Sequence, residues 1–133
     1  MKKTYFAVFE PDPSGAYSVY FPDLPGCITV GDTFEQACDH AKEALDLHYY
    51  GLQEDHDPIP EPSDPSRFSR EDVEGNLIVP VTIFPDEFRN YMENKRVKTN
   101  CTIPKWLKRA GEEAGINFSR LLENALKQEL HLQ

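Results

Sequence analysis

AYSVYFPDLPGCITVGDTFEQA, residues 16–37, decides the fold of the first part of the chain. AYSVYF, 16–21, is rich in aromatic and β-branched side chains and reads as a strand. PDLPG, 22–26, is a rigid turn, because proline fixes φ and glycine tolerates φ > 0. CITV, 27–30, returns as a short strand. Gly31-Asp32-Thr33 then opens a helix. Thr33 and Gln36 have capping-box spacing: the threonine hydroxyl satisfies a free N–H of the first turn, and the glutamine reaches back. Strand, turn, strand and capped helix in this order specify a sheet with a helix laid on it.

Working outward, TYFAVF, 4–9, is apolar on both alternating faces, as in an interior strand. PDPSG, 11–15, joins it to the next strand, so 4–21 is a hairpin. Beyond Thr33, the residues Phe34, Ala37, Cys38, Ala41, Leu45 and His48 recur at helical spacing and are expected to face the sheet. That helix is expected to run to Tyr49 or Tyr50, with Gly51 as its stop. DPIPEPSDPS, 57–66, has four prolines and is an extended connection. Residues 52–75 are the least informative. NLIVPVTIF, 76–84, is again β in character. Pro80 lacks an N–H and belongs at a sheet edge or beside a bulge. PDEFRNYMENK, 85–95, reads as a short linking helix.

The 133 residues hold one ordinary domain or two small ones, and 39% are hydrophobic. A core that small makes oligomerisation an expectation. No segment approaches the ~20 apolar residues of a membrane span. The three cysteines are odd in number and widely spaced, which fits free thiols in a reducing cytoplasm rather than a disulfide framework. Formal charge is -9, but it is divided. From Lys95 onward there are eight basic and four acidic residues, a balance of +4, which leaves -13 for the rest. Opposite charges on two parts of one chain suggest two partners of opposite sign.

The basic part begins RVKTNCTIPKWLKRA, 96–110. Val97, Thr99, Cys101 and Ile103 alternate with Lys98, Asn100 and Thr102, as on the two faces of a strand. Pro104 starts a helix where a missing N–H costs nothing. Trp106, Leu107, Ala110 and Ala114 are its expected buried stripe. Gly115 ends it, and Asn117 caps a second helix with an apolar face of Phe118, Leu121, Leu122, Ala125, Leu126 and Leu130. Alone, this segment buries too little to fold. Two copies would solve that by pairing their strands antiparallel and interlocking their helices.

Strand, helix, turn and helix resemble a ribbon-helix-helix DNA-binding module. In that family paired strands lie in the major groove, which implies that Lys98, Asn100 and Thr102 face base edges. Lysine donates to guanine, and asparagine bonds adenine in two places. The helix start at Asn117, Ser119 and Arg120 is suited to a phosphate. The first part carries a second resemblance, on Gly15-Ala16-Tyr17, Phe21 to Cys27, Gly31 to Thr33 and Glu43-Ala44-Leu45, with INFSRLLENAL, 116–126, in support. These are similar to the HicB antitoxin family. The implied fold is α+β, with a partial RNase H-like domain over 1–84 (three antiparallel strands, a helix and a further strand). A linker helix, 85–95, and a ribbon-helix-helix domain, 96–133, follow. The implied function is inhibition of a basic HicA-type ribonuclease toxin, with repression of the operon through operator DNA. The implied assembly is a homodimer through the C-terminal domain, or a higher oligomer. Glu10, Asp12, Tyr20, Phe21 and Asp23 are the candidate toxin contacts, since they combine acids and aromatic anchors near one hairpin end.

Other readings weigh less. Glu10, Asp12, Asp23 and Asp32 stand near the first strands, but nothing in their spacing demands a shared Mg²⁺ site, so no catalytic residue is assigned. His40 and His48 are about 12 Å apart by helical rise, too far to chelate one ion together. His56 and His131 have no obvious partner. No metal and no cofactor are expected. Cys27, Cys38 and Cys101 fall on faces expected to be packed, which argues against a nucleophile. A DNA-binding repressor whose first domain senses a small ligand is the alternative function.

Overall fold

The computed structural model describes residues 1–132, and it divides into two compact units, Met1–Lys95 and Arg96 onward. The first unit is built on a four-stranded antiparallel sheet of order β3-β2-β1-β4. Its strands are β1 (Lys3–Pro11), β2 (Tyr17–Tyr20), β3 (Ile28–Gly31) and β4 (Leu77–Ile83). TYFAVF is indeed interior: β1 pairs with β2 on one side and β4 on the other. Pro80 sits on β4, an edge strand, where its missing N–H breaks no ladder on the outer side.

Helix α1 (Phe34–Glu54) lies on one face of the sheet. Tyr5, Ala7 and Phe9 of β1, Val19 of β2 and Val81 and Ile83 of β4 form the core with Ala37, Ala41, Leu45 and Tyr49 of the helix. The capping box is present: Thr33 Oγ1 accepts from Gln36 N at 3.1 Å, and Gln36 Oε1 accepts from Asp32 N at 2.6 Å. The expected stop at Gly51 is not used. The helix continues to Glu54 because Leu52, in the next turn, still packs against the core, and a glycine tolerated inside a helix costs only about 1 kcal/mol. The buried stripe is also rotated from expectation. Phe34 is half exposed and Tyr49 takes the inner position at the far end.

The proline-rich connection runs over the first unit and is bonded to it. Tyr5 Oη donates to Pro60 O at 2.6 Å, Asp23 Oδ2 accepts from Ser63 N at 2.7 Å, and Lys3 Nζ meets Glu61 at 3.0 Å. A 3₁₀ turn (Pro65–Arg67) and a single helical turn, α2 (Arg70–Val73), follow before β4. Helix α3 (Pro85–Glu93) is held within this unit. Phe88 meets the Tyr50 ring edge-on at 5.9 Å, and Arg89 pairs with Glu54 at 3.3 Å.

The second unit is a helical hairpin of α4 (Lys105–Glu113) and α5 (Phe118–Glu129). The Phe118 ring lies against Gly111, where a Cβ would come within 2.6 Å of it. Residues 97–103 form no strand in the single chain, since a strand needs a ladder partner and one copy supplies none. The expected buried stripe of α4 is likewise uncovered: Trp106 is 66% exposed. Cys101, expected to be packed, is exposed as well. Gln133, the last residue of the expected C-terminal domain, lies outside the described residues.

Candidate functional site

Most of the acids and aromatics singled out in the first unit turn out to build it. FPDLPGC closes on itself through Phe21 N to Cys27 O (3.2 Å), Leu24 N to Phe21 O (3.0 Å) and Cys27 N to Leu24 O (3.0 Å). This folds Phe21, Leu24 and Cys27 inward as a plug for the core. Phe21 is therefore a core residue, with no surface to offer a partner. Burial pushes the Cys27 thiol up to about 11, which keeps it protonated and unreactive. Asp23 anchors the proline-rich connection through Ser63 N. Asp12 holds its own turn, accepting from Ser14 N at 3.0 Å.

Glu10 and Tyr20 remain at the surface, and both lie on the face of the sheet away from α1. Tyr20 Oη donates to Asp72 Oδ1 at 2.6 Å, and Asp72 also accepts from the Ser69 hydroxyl at 3.0 Å. Burial and this hydrogen bond raise the Tyr20 phenol well above its ordinary range, and the negative charges of Asp72, Glu10 and Glu71 add to the shift. Glu10 is exposed. Sequence reasoning missed two residues on this face, Ile28 and Val30, which are 70% and 64% exposed. CITV reads as a short strand, but nothing local says which face of a strand another element will cover. The four carboxylates weighed as a metal site do not converge. Among the described residues no three His, Cys, Asp or Glu side chains come together to hold an ion.

In the second unit, Lys98, Asn100 and Thr102 are all exposed, as are Asn117, Ser119 and Arg120. Asn117 caps α5, its Oδ1 accepting from Arg120 N at 3.0 Å. Arg96 Nη2 reaches Glu123 at 2.6 Å, and Lys127 meets the same carboxylate at 3.1 Å. The Arg96 hydrogen bond, then that of Lys127, holds the Glu123 carboxyl below its usual range. This pairing across 27 positions fastens the start of the basic segment to α5, and no local pattern announced it. Between segment and helices lies a cleft of about 660 Å³, lined by Cys101, Ile103, Phe118, Leu121, Leu122 and Ala125 among others. Leu121 and Leu126 are each more than half exposed. Among the described residues no helix is long and apolar enough to cross a membrane.

These features define a class: a two-unit chain, with an acidic sheet-and-helix unit joined to a basic helical hairpin. The family model for the HicB_like antitoxin of bacterial toxin-antitoxin systems matches residues 5–118, and the chain belongs to that family. An uncharacterized 14.9 kDa protein of Haemophilus phage HP1 is 33% identical over 91 residues, 68% of this chain and 66% of that protein. Antitoxin HicB of Escherichia coli K12 is 39% identical over 59 residues, 44% of this chain and 43% of its own length. The match thus spans less than half of that antitoxin. A chain of a toxin-antitoxin complex from Streptococcus pneumoniae has the same fold, with a TM-score of 0.61 at 28% identity, covering 97% of this chain and 99% of that one.

Proposed function

We propose that this chain is the antitoxin of a toxin–antitoxin pair. Its first unit binds and inhibits a HicA-type ribonuclease toxin, and its second unit binds operator DNA as a homodimer and represses the operon. The observation that carries the reading is the family match, which runs from β1 to the first residue of α5 and so takes in the first unit and the beginning of the second. The divided charge agrees with it: the acidic part suits a basic protein, and the +4 part suits phosphates. The uncovered leucines of α5 and the cleft beside them suit a second copy, whose paired segment 97–103 would give Lys98, Asn100 and Thr102 a rigid frame. RNase H-like describes the expected class of the first unit, with an acidic sheet that neutralises and does not cleave.

The test of the DNA arm is a mobility shift on the DNA upstream of the operon. Replacing Lys98, Asn100 and Thr102 together by alanine is expected to abolish sequence-specific binding, with each base contact worth about 1–3 kcal/mol. Unchanged affinity and specificity in this variant would remove the segment from the groove.

A further inference from the structure

Only one face of the sheet is closed by α1. On the other, Glu10 lies opposite Ser18 and Ser18 opposite Val30, while Val8 lies opposite Tyr20 and Tyr20 opposite Ile28. The bond from Tyr20 to Asp72 sets α2 beside this face, and Val8 there is fully buried. The β3 end stays open. Ile28 and Val30, two β-branched apolar side chains two residues apart, stand in water at 70% and 64% exposure. Their surroundings are acidic: Glu10, Glu71 and Asp72 all act on the Tyr20 phenol. The nearby Arg70 is already paired with Glu74 at 3.3 Å. The backbone edge of β3 is partly closed, because His40 Nδ1 lies 2.7 Å from Val30 O. An added strand would lose that acceptor, so recognition here falls to side chains.

We propose that this open face docks the protein partner of the first unit, with Ile28 and Val30 as apolar anchors and Glu10, Glu71 and Asp72 as an acidic rim. The occupant is a basic protein surface on which lysines or arginines flank an apolar patch. A second copy of the same face would set carboxylates against carboxylates, in a part of the chain whose balance is already -13. The proposal rests on the antitoxin reading, and names the surface that meets the toxin.

The test titrates full-length chain with purified toxin at low and high salt. The double variant Ile28→Arg/Val30→Arg changes only exposed positions, and a thermal melt checks that it folds. It is expected to weaken binding about 100-fold or more, as loss of a central anchor does. Glu10→Lys is expected to slow association about 10-fold at low salt, with the difference shrinking at high salt. Glu43→Lys, exposed on α1, is expected to bind as wild type does. A folded double variant that binds with wild-type affinity overturns the proposal, and so does a loss confined to Glu43→Lys; the antitoxin reading survives both. A double variant that loses only self-association of the free chain also overturns it, making the face a contact between copies. A wild-type chain that binds no toxin removes the antitoxin reading, and this surface with it.

Discussion

Gly31 stands where β3 hands the chain over to α1, and its missing side chain sets how closely the helix lies on the sheet. An alanine here would place Cβ 2.4 Å from Ala37 N, 2.5 Å from Ala37 Cα and 2.8 Å from Ala37 Cβ. Unbonded carbons rest about 3.5–4 Å apart, so the overlap is about 1 Å. Two of the three atoms are backbone, and no rotamer change relieves them. The first turn of α1 must move, although Ala37 and Ala41 are fully buried. Overpacking of this kind costs about 1–3 kcal/mol. Alanine returns about 0.5–1 kcal/mol by restricting the unfolded chain. With backbone in the way the net loss is expected near 2 kcal/mol. Gly51→Ala is the control. It lies in the same helix with no atom within 4 Å of the new methyl, and it is expected to gain about 0.5–1 kcal/mol. Urea unfolding would be followed by the near-ultraviolet signal of the tyrosines, since all six lie between residues 5 and 91, in the first unit. Trp106, the single tryptophan, reports the second unit by fluorescence. A Gly31→Ala protein as stable as wild type would refute the close approach of β3 and α1.

Three further outcomes are expected. The Tyr20 hydroxyl, then Ser69, holds the Asp72 carboxyl below its ordinary range. Its contribution is therefore complete above the unfolded value near about 4 and is lost as pH falls through the folded one. Asp72→Asn should lower stability at pH 7 but show a shallower loss in acid, with the two melting curves converging at the lowest pH. The Tyr20 phenol has the opposite sign: its raised pKa makes its contribution intact below about 10 and lost as pH rises beyond. In the second unit, Leu122→Asp places a charge in the proposed dimer core, which should dissociate the dimer in sedimentation velocity and abolish operator binding, with the tyrosine signal unchanged. An unaltered dimer would show that α5 is not the seam.

Local chemistry was legible and partnership was not. The Thr33–Gln36 cap, the FPDLPGC turn, the interior character of β1 and the edge position of Pro80 each follow from a few adjacent residues. The length of α1 was misread because Gly51 has the residue type of a stop, while the burial of Leu52 that carries the helix past it is a tertiary fact. Of the candidate contacts of the first unit, Glu10 and Tyr20 stay at the surface, while three others also serve the fold. An aspartate in a turn looks the same whether it faces a partner or its own backbone, and Asp12 and Asp23 face the backbone. Phe21 looked like an anchor because a large aromatic beside acids suits an interface, but the turn folds it into the core. The alternation over 97–103 and the apolar stripes of α4 and α5 are plain in the sequence. Nothing in the sequence says what covers them, and in the single chain they are exposed.

The most direct measurement is growth of cells expressing a HicA-type toxin together with a chain ending at Lys95, which keeps the whole first unit and omits the helical hairpin. Restored growth, with the toxin and the fragment recovered as one complex, is the expected result. A fragment that is folded yet neither restores growth nor binds the toxin would contradict the assignment of toxin inhibition to the first unit.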